Sequence, residues 1–273
     1  MVSMPPSGSA TPDEIFFRWI IIFHIWLFMV ISSYFLARKK FDNESQDWVK
    51  KIPKITGILG ICSIILSVLM AIFVIPEGQM GRWDESLNEQ YTTLSILVYY
   101  KPMMLTIYFG ITAACFGGLI LGAKIWQSYE SSNNTSRNIV IGMLLIWLIV
   151  LLNHSFWTQS TLIFSRGFDR PLHINTGYIA FTAAALGPLI GAITCKIMGD
   201  DCQISKTSHN KLLGGAILIV FLALWYLLAY DYDWVNSEGQ LAISEHVLIC
   251  CELVWLAFAG KELETNEIED EEG

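Results

Sequence analysis

From Ile15 to Ala37 the chain reads IFFRWIIIFHIWLFMVISSYFLA, and Arg38-Lys39-Lys40 follow at once. A helix needs about 20 mostly apolar residues to cross a hydrocarbon core of roughly 30 Å. Lipid offers a backbone no hydrogen bonds, so a stretch that crosses it must satisfy its own N–H and C=O groups as a helix. Six further stretches of the same kind follow: Ile55–Ile75, Met103–Ala123, Ile139–Trp157, Tyr178–Cys195, Leu212–Tyr230 and Leu241–Gly260. A soluble core helix of that length would carry a polar stripe at a 3.6-residue period, and none of these stretches is read as having one. The expected fold is all-α, a polytopic bundle of seven transmembrane helices.

Composition agrees. The chain is 53% hydrophobic and 15% charged, with a mean hydropathy of +0.48, whereas soluble domains carry about a quarter charged residues. The predicted organisation is a short segment 1–14, one transmembrane domain 15–260 and an acidic tail 261–273. Seven acids crowd that tail (Glu262, Glu264, Glu267, Glu269, Asp270, Glu271, Glu272) and account for most of the net charge of −8. Like charges at this density predict a disordered, solvated tail. Nothing in the charge pattern points to nucleic acid. Segment 1–14 contains no basic residue, so the first span reads as a retained anchor rather than a cleaved signal.

Lys and Arg fall unevenly across the alternating loops. Twelve group on one side, including Arg38, Lys39, Lys40, Lys124, Lys196 and Lys206, against Arg18, Arg82, Lys101, Arg166 and Arg170 on the other. The positive-inside bias puts the larger set in the cytoplasm, with the N-terminus outside and the C-terminus cytoplasmic. The sequons at Asn43, Asn133 and Asn134 would then face the cytoplasm and carry no glycan. The chain is expected in a plasma membrane or endomembrane. Small residues at four-residue spacing, Ala114/Gly118/Gly122 in the third span and Ala183/Gly187/Gly191 in the fifth, predict that these two helices pack closely. Pro188 predicts a kink in the fifth.

Ionisable groups inside hydrocarbon are costly and mark candidate sites. Glu252 lies mid-way along the seventh span, and Glu245, seven residues earlier, shares its helical face. The orientation groups His154, His173, Glu245 and His246 toward the outer half, and with the mid-span Glu252 they are the candidate ligand-binding residues of a polar pocket that opens outward. Also on that side are Asp169, Arg170, Asp231, Asp233, Glu77, Asp84 and Glu85. A structural, hydrogen-bonding role for Glu252 is the competing interpretation. No catalytic residue is legible, and no histidine pair has the i, i+4 spacing of a zinc helix. The seventh span lacks a lysine, which excludes a retinal Schiff base.

Two other readings stand beside ligand binding. His24 and His154 lie at similar depth on two helices, as axial ligands of haem b would, with His173 and His246 as a second pair. Ten tryptophans, several near span ends, fit a structural subunit of a membrane complex or a homo-oligomer. The six cysteines contain no C-x-x-C pair and imply no disulfide framework. Cys195 and Cys202, seven residues apart at the end of the fifth span, read as inert thiols, with lipidation as the alternative. His209 falls in a cytoplasmic loop and out of the candidate set.

Over about residues 55–260 the chain resembles the damage-regulated autophagy modulator (DRAM) proteins and the lipid-remodelling factors that act after GPI attachment. The likeness is carried by His173, Tyr178, Phe181 and Thr194-Cys195-Lys196, and by His246 ahead of Ile249-Cys250-Cys251-Glu252. Six spans with a longer first outer loop complete it. The first span and the loop Pro76–Lys101 depart from that pattern. The resemblance implies a non-redox membrane protein that handles lipid or serves membrane trafficking. Its partners would be membrane lipids, no cofactor is expected, and His173 and Glu252 would be its site positions.

Overall fold

The computed structural model describes residues 11–38, 43–74, 101–130, 137–164, 170–231 and 238–271. Its elements are α1 (Pro12–Arg38), α2 (Asn43–Val74), α3 (Lys101–Glu130), α4 (Arg137–Ile163) and α5 (Arg170–Met198). A one-turn 3-10 helix (Gly199–Asp201), α6 (Lys206–Asp231) and α7 (Glu238–Glu271) follow. There is no strand among the described residues, and seven helices are long and apolar enough to cross a membrane. The chain is an all-α, multi-pass membrane protein. The expectations placed on Asn133, Asn134, Asp169, Asp233 and the loop acids Glu77, Asp84 and Glu85 lie outside the described residues.

The helices outrun the apolar stretches that announce them. α3 continues from Ala123 to Glu130 through Lys124, Gln127 and Ser128, and α5 starts at Arg170, eight residues before Tyr178. Once an apolar span is helical, each added residue gains a backbone hydrogen bond without a new nucleation cost. The same propagation carries α7 to Glu271, so the backbone of the acidic run is helical although its charge pattern points to disorder. Glu is itself a good helix former.

Helices α2 to α7 form a ring in which neighbours in sequence are neighbours in space, and α7 closes the ring against α2. α1 stands outside it, on the seam between α3 and α4. Its buried residues Ile22, Met29, Ser33 and Ala37 form one narrow stripe, while Phe16, Phe28 and Phe35 are exposed, as a lipid-facing surface requires. Aromatic contacts hold it. Trp19 stacks on Phe156 with ring centroids 5.9 Å apart, and the Trp26 indole donates to the Leu152 carbonyl and Ser155 hydroxyl at 3.1 Å. At one end Arg38 pairs with Glu130 at 2.9 Å, and at the other Arg18 donates to the Ile163 carbonyl. The first of these ends carries most of the lysines and is called the basic end below.

The small-residue stripes do not pack as expected. α3 and α5 hardly touch, because α4 lies between them. A Cβ built at Gly122 would meet Leu151 of α4 at 2.6 Å, and one at Gly191 would meet the Trp147 ring at 2.6 Å. The glycines receive large α4 side chains rather than a neighbouring backbone. Backbone-to-backbone approach occurs instead around α2. A Cβ at Gly57 would lie 2.8 Å from the Ala257 amide nitrogen and the Leu253 carbonyl oxygen, and Gly260 abuts the Lys54 backbone. Gly110 and Gly117 of α3 abut Ser63 and Thr56 of α2. These hydroxyls donate to carbonyls of their own helix, Thr56 to Ile52 at 2.8 Å and Ser63 to Gly60 at 2.7 Å. Neither hydroxyl is therefore stranded in the seam.

Candidate binding cavity

The ring is not filled at its centre. A cavity of about 190 Å³ lies between α3, α4, α5, α6 and α7. Along α5 its wall runs from His173 to Pro188. At the helical rise per residue that is about 22 Å of helix. It thus extends from the end opposite the basic one to beyond mid-membrane. Much of the wall is aliphatic or aromatic, with Ile107, Leu121, Leu151, Phe181 and Ile249 among its residues.

Four expected site residues face this one space: His154, His173, Glu245 and Glu252. His154 of α4 and Glu252 of α7 meet directly, with imidazole Nε2 3.4 Å from carboxyl Oε1 and both side chains more than four-fifths buried. The contact accommodates an imidazolium–carboxylate pair or the neutral imidazole–carboxylic acid pair one proton transfer away. Either form satisfies two groups that would be costly alone in hydrocarbon.

His173 is positioned differently. Its Nδ1 lies 3.0 Å from the carbonyl oxygens of both Thr161 and Phe164. Carbonyls only accept, so Nδ1 carries the hydrogen and bridges the end of α4 to the first turn of α5. Glu245 is 3% exposed and sits two turns before Glu252 on the same face of α7.

The remaining histidines lie elsewhere. His246 is one residue along α7 from Glu245, turned about 100° around the helix, and is not on the cavity wall. His24 is exposed. Two residues from the buried Ile22, it is turned about 200° around α1. Its Nδ1 lies 2.7 Å from its own helix's Ile20 carbonyl. His24 and His154 therefore do not face one another across a slot, and His173 and His246 do not share the cavity. The residues do not fit a haem held between those pairs. Among the described residues no cluster of His, Cys, Asp and Glu is arranged to hold a metal ion.

Several wall residues escape a reading of the sequence. Trp147, Leu151, His154, Ser155, Thr158, Thr161 and Leu162 all line the cavity from α4, at the three- and four-residue steps of one helical face. The half of α4 away from the basic end does carry a polar stripe. It is hidden because Ser and Thr barely lower local hydropathy. Trp147 is 1% exposed, and its indole N–H has no acceptor among the described residues. Pro188, also on the wall, has no N–H to give the Ala184 carbonyl, and Ala184 lines the same space.

Comparison with protein-family models, with curated proteins and with solved structures finds no match to this chain.

Proposed function

We propose that the protein binds a lipid or small amphipathic ligand inside the bundle, in a service of lipid handling or membrane trafficking. The polar part of the ligand sits against His154 and Glu252, and its apolar part lies along the aliphatic wall of α3 and α5. The observation that carries this reading is the His154–Glu252 contact on the wall of a cavity that is otherwise mainly apolar. Binding sites for small molecules share that design, an apolar enclosure with a few placed polar groups. The Trp147 N–H supports a ligand with a hydrogen-bond acceptor. The cavity wall reaches the end marked as outer by the charge count, which is where such a ligand would enter. The expected likeness to DRAM-type and GPI-lipid-remodelling proteins points to the same class of ligand.

The test is extraction of the protein purified in mild detergent, followed by mass spectrometry of the released organic molecules. A lipid or small amphipathic compound retained by the wild type and lost from Glu252→Gln and His154→Gln is the expected result. Identical extracts from all three proteins would remove Glu252 and His154 from any binding role.

A further inference from the structure

At the basic end, far from the cavity, three reactive side chains meet that lie seven residues apart in sequence. Cys195 sits in the last turn of α5, Cys202 just beyond it and His209 in the first turn of α6. All three are buried, at 2%, 6% and 3% exposure. The Cys195 and Cys202 side chains lie beside one another, and Cys202 lies beside His209 in turn. His209 is thus not a loop residue without a role.

The chain builds this contact with a tight reversal. Gly199 ends α5 with a φ of +62°. That is the left-handed conformation which only glycine adopts without cost. The 3-10 turn then brings the Cys202 amide to donate to the Gly199 carbonyl at 3.3 Å, which folds the chain back toward the end of α5. Ser128 of α3 holds the turn by donating to the Asp201 carbonyl. On the other side, His209 Nε2 lies 2.9 Å from the Ile204 carbonyl. A carbonyl only accepts, so Nε2 carries a hydrogen and Nδ1 is the basic nitrogen of the ring.

We propose that Cys202 and Cys195 are a peroxide-reactive thiol pair, with His209 as proton acceptor, that closes to a disulfide at this end of the bundle. Cys202 passes its proton to His209. The Cys202 thiolate then attacks one oxygen of hydrogen peroxide, the O–O bond breaks, and the departing hydroxide takes the proton from the imidazolium and leaves as water. Cys202 is now a sulfenic acid. The Cys195 sulfur attacks the sulfenic sulfur, its S–O bond breaks, and hydroxide leaves with the Cys195 proton as a second water. Two thiols have lost two electrons in all, and one peroxide has become two waters. The division of labour follows from the surroundings. The neighbouring Cys195, joined by His209, holds the Cys202 thiol below its ordinary value against the opposing effect of burial. Cys202 is therefore the thiolate.

The sequence makes the product easy to read. Trypsin cuts after Lys196, between the two cysteines, so the reduced protein yields separate Cys195 and Cys202 peptides. Full-length protein in detergent is treated with hydrogen peroxide, alkylated and digested without reductant. The expected result is a cross-linked Cys195–Cys202 peptide pair that dithiothreitol separates. In Cys195→Ser, Cys202 stops as a sulfenic acid that dimedone traps. In His209→Gln, with a melting temperature close to wild type, oxidation of Cys202 slows roughly tenfold as its thiolate fraction falls. Absence of the cross-linked pair overturns the proposal. If His209→Gln melts well below wild type, the Cys195→Ser protein decides: no dimedone adduct at Cys202 overturns it equally.

Discussion

The two faces of α7 show opposite ways of meeting a neighbour. On one face Ala257 and Gly260 bring its backbone against that of α2, at Gly57 and Lys54, with no side chain between. On the other, Glu245, Ile249 and Glu252 line an unfilled space. In lipid there is little hydrophobic driving force between helices, so close packing and hydrogen bonds hold a bundle together. The ring is tight where small residues allow it, around α2, and that tightness lets the opposite side keep a polar cavity. Stability and binding are divided between the two faces of one helix.

The largest expected effect comes from prising the tight face apart. At Gly57 even a methyl group would meet backbone atoms of α7 at 2.8 Å, and a backbone cannot rotate aside as a side chain can. Gly57→Ala should cost about 1–3 kcal/mol, read as a lower thermal midpoint in detergent. Gly57→Leu should yield no monodisperse protein. Gly142→Ala, where an added Cβ meets nothing within 4 Å, is the control and should fold as wild type does. Equal losses at Gly57 and Gly142 would mean that α2 and α7 do not touch.

Next comes the polar face. Glu252→Leu leaves His154 buried without its partner and should cost about 3 kcal/mol. Adding His154→Leu should restore at least half of that loss, because the double variant strands neither group. The readout is a double-mutant cycle on the unfolding midpoints. Strictly additive losses would mean that the 3.4 Å contact carries no coupling.

The contrast between the faces is only half legible in the sequence. The spans are plain, because each is a long apolar run whatever it packs against. The gathering of His154, His173, Glu245 and Glu252 is legible too, since successive spans run in alternate directions and each residue's place along its span sets its depth. Helix neighbours are not. Gly122 and Gly191 advertise close approach without naming a partner, and α4 fills them with the side chains of Leu151 and Trp147 as readily as another helix would offer backbone. Gly57 and Gly260 give no such signal because neither belongs to a four-residue repeat of small residues. His209 is lost to a boundary: the apolar run starts at Leu212, but the helix starts at Lys206. His246 shows the limit of depth as a guide, since it shares the depth of Glu245 and points elsewhere.

A smaller effect is expected at the turn that ends α5. Gly199 has open space around it. Gly199→Ala therefore loses only the backbone preference, about 1–2 kcal/mol. It should lower the melting temperature no more than Gly57→Ala does, while slowing formation of the Cys195–Cys202 disulfide. An unchanged disulfide rate would mean that the reversal at Gly199 is not what holds the two thiols together.

The smallest effect is predicted for His24, and it bears on the division between the faces most directly. α1 stands outside the ring, and His24 is exposed, turned away from the stripe of Ile22 and Met29. Replacing an ionisable side chain by an apolar one on a lipid-facing surface removes no contact with α3 or α4. His24→Leu should therefore shift stability by no more than about 0.5 kcal/mol and leave the extracted ligand unchanged. Loss of the ligand in this variant would place α1 in the cavity wall. The binding face would then no longer belong to the ring alone. The absorption spectrum of the purified protein would be the measurement to make, since a band lost with both His24 and His154 is the signature of an axial histidine pair.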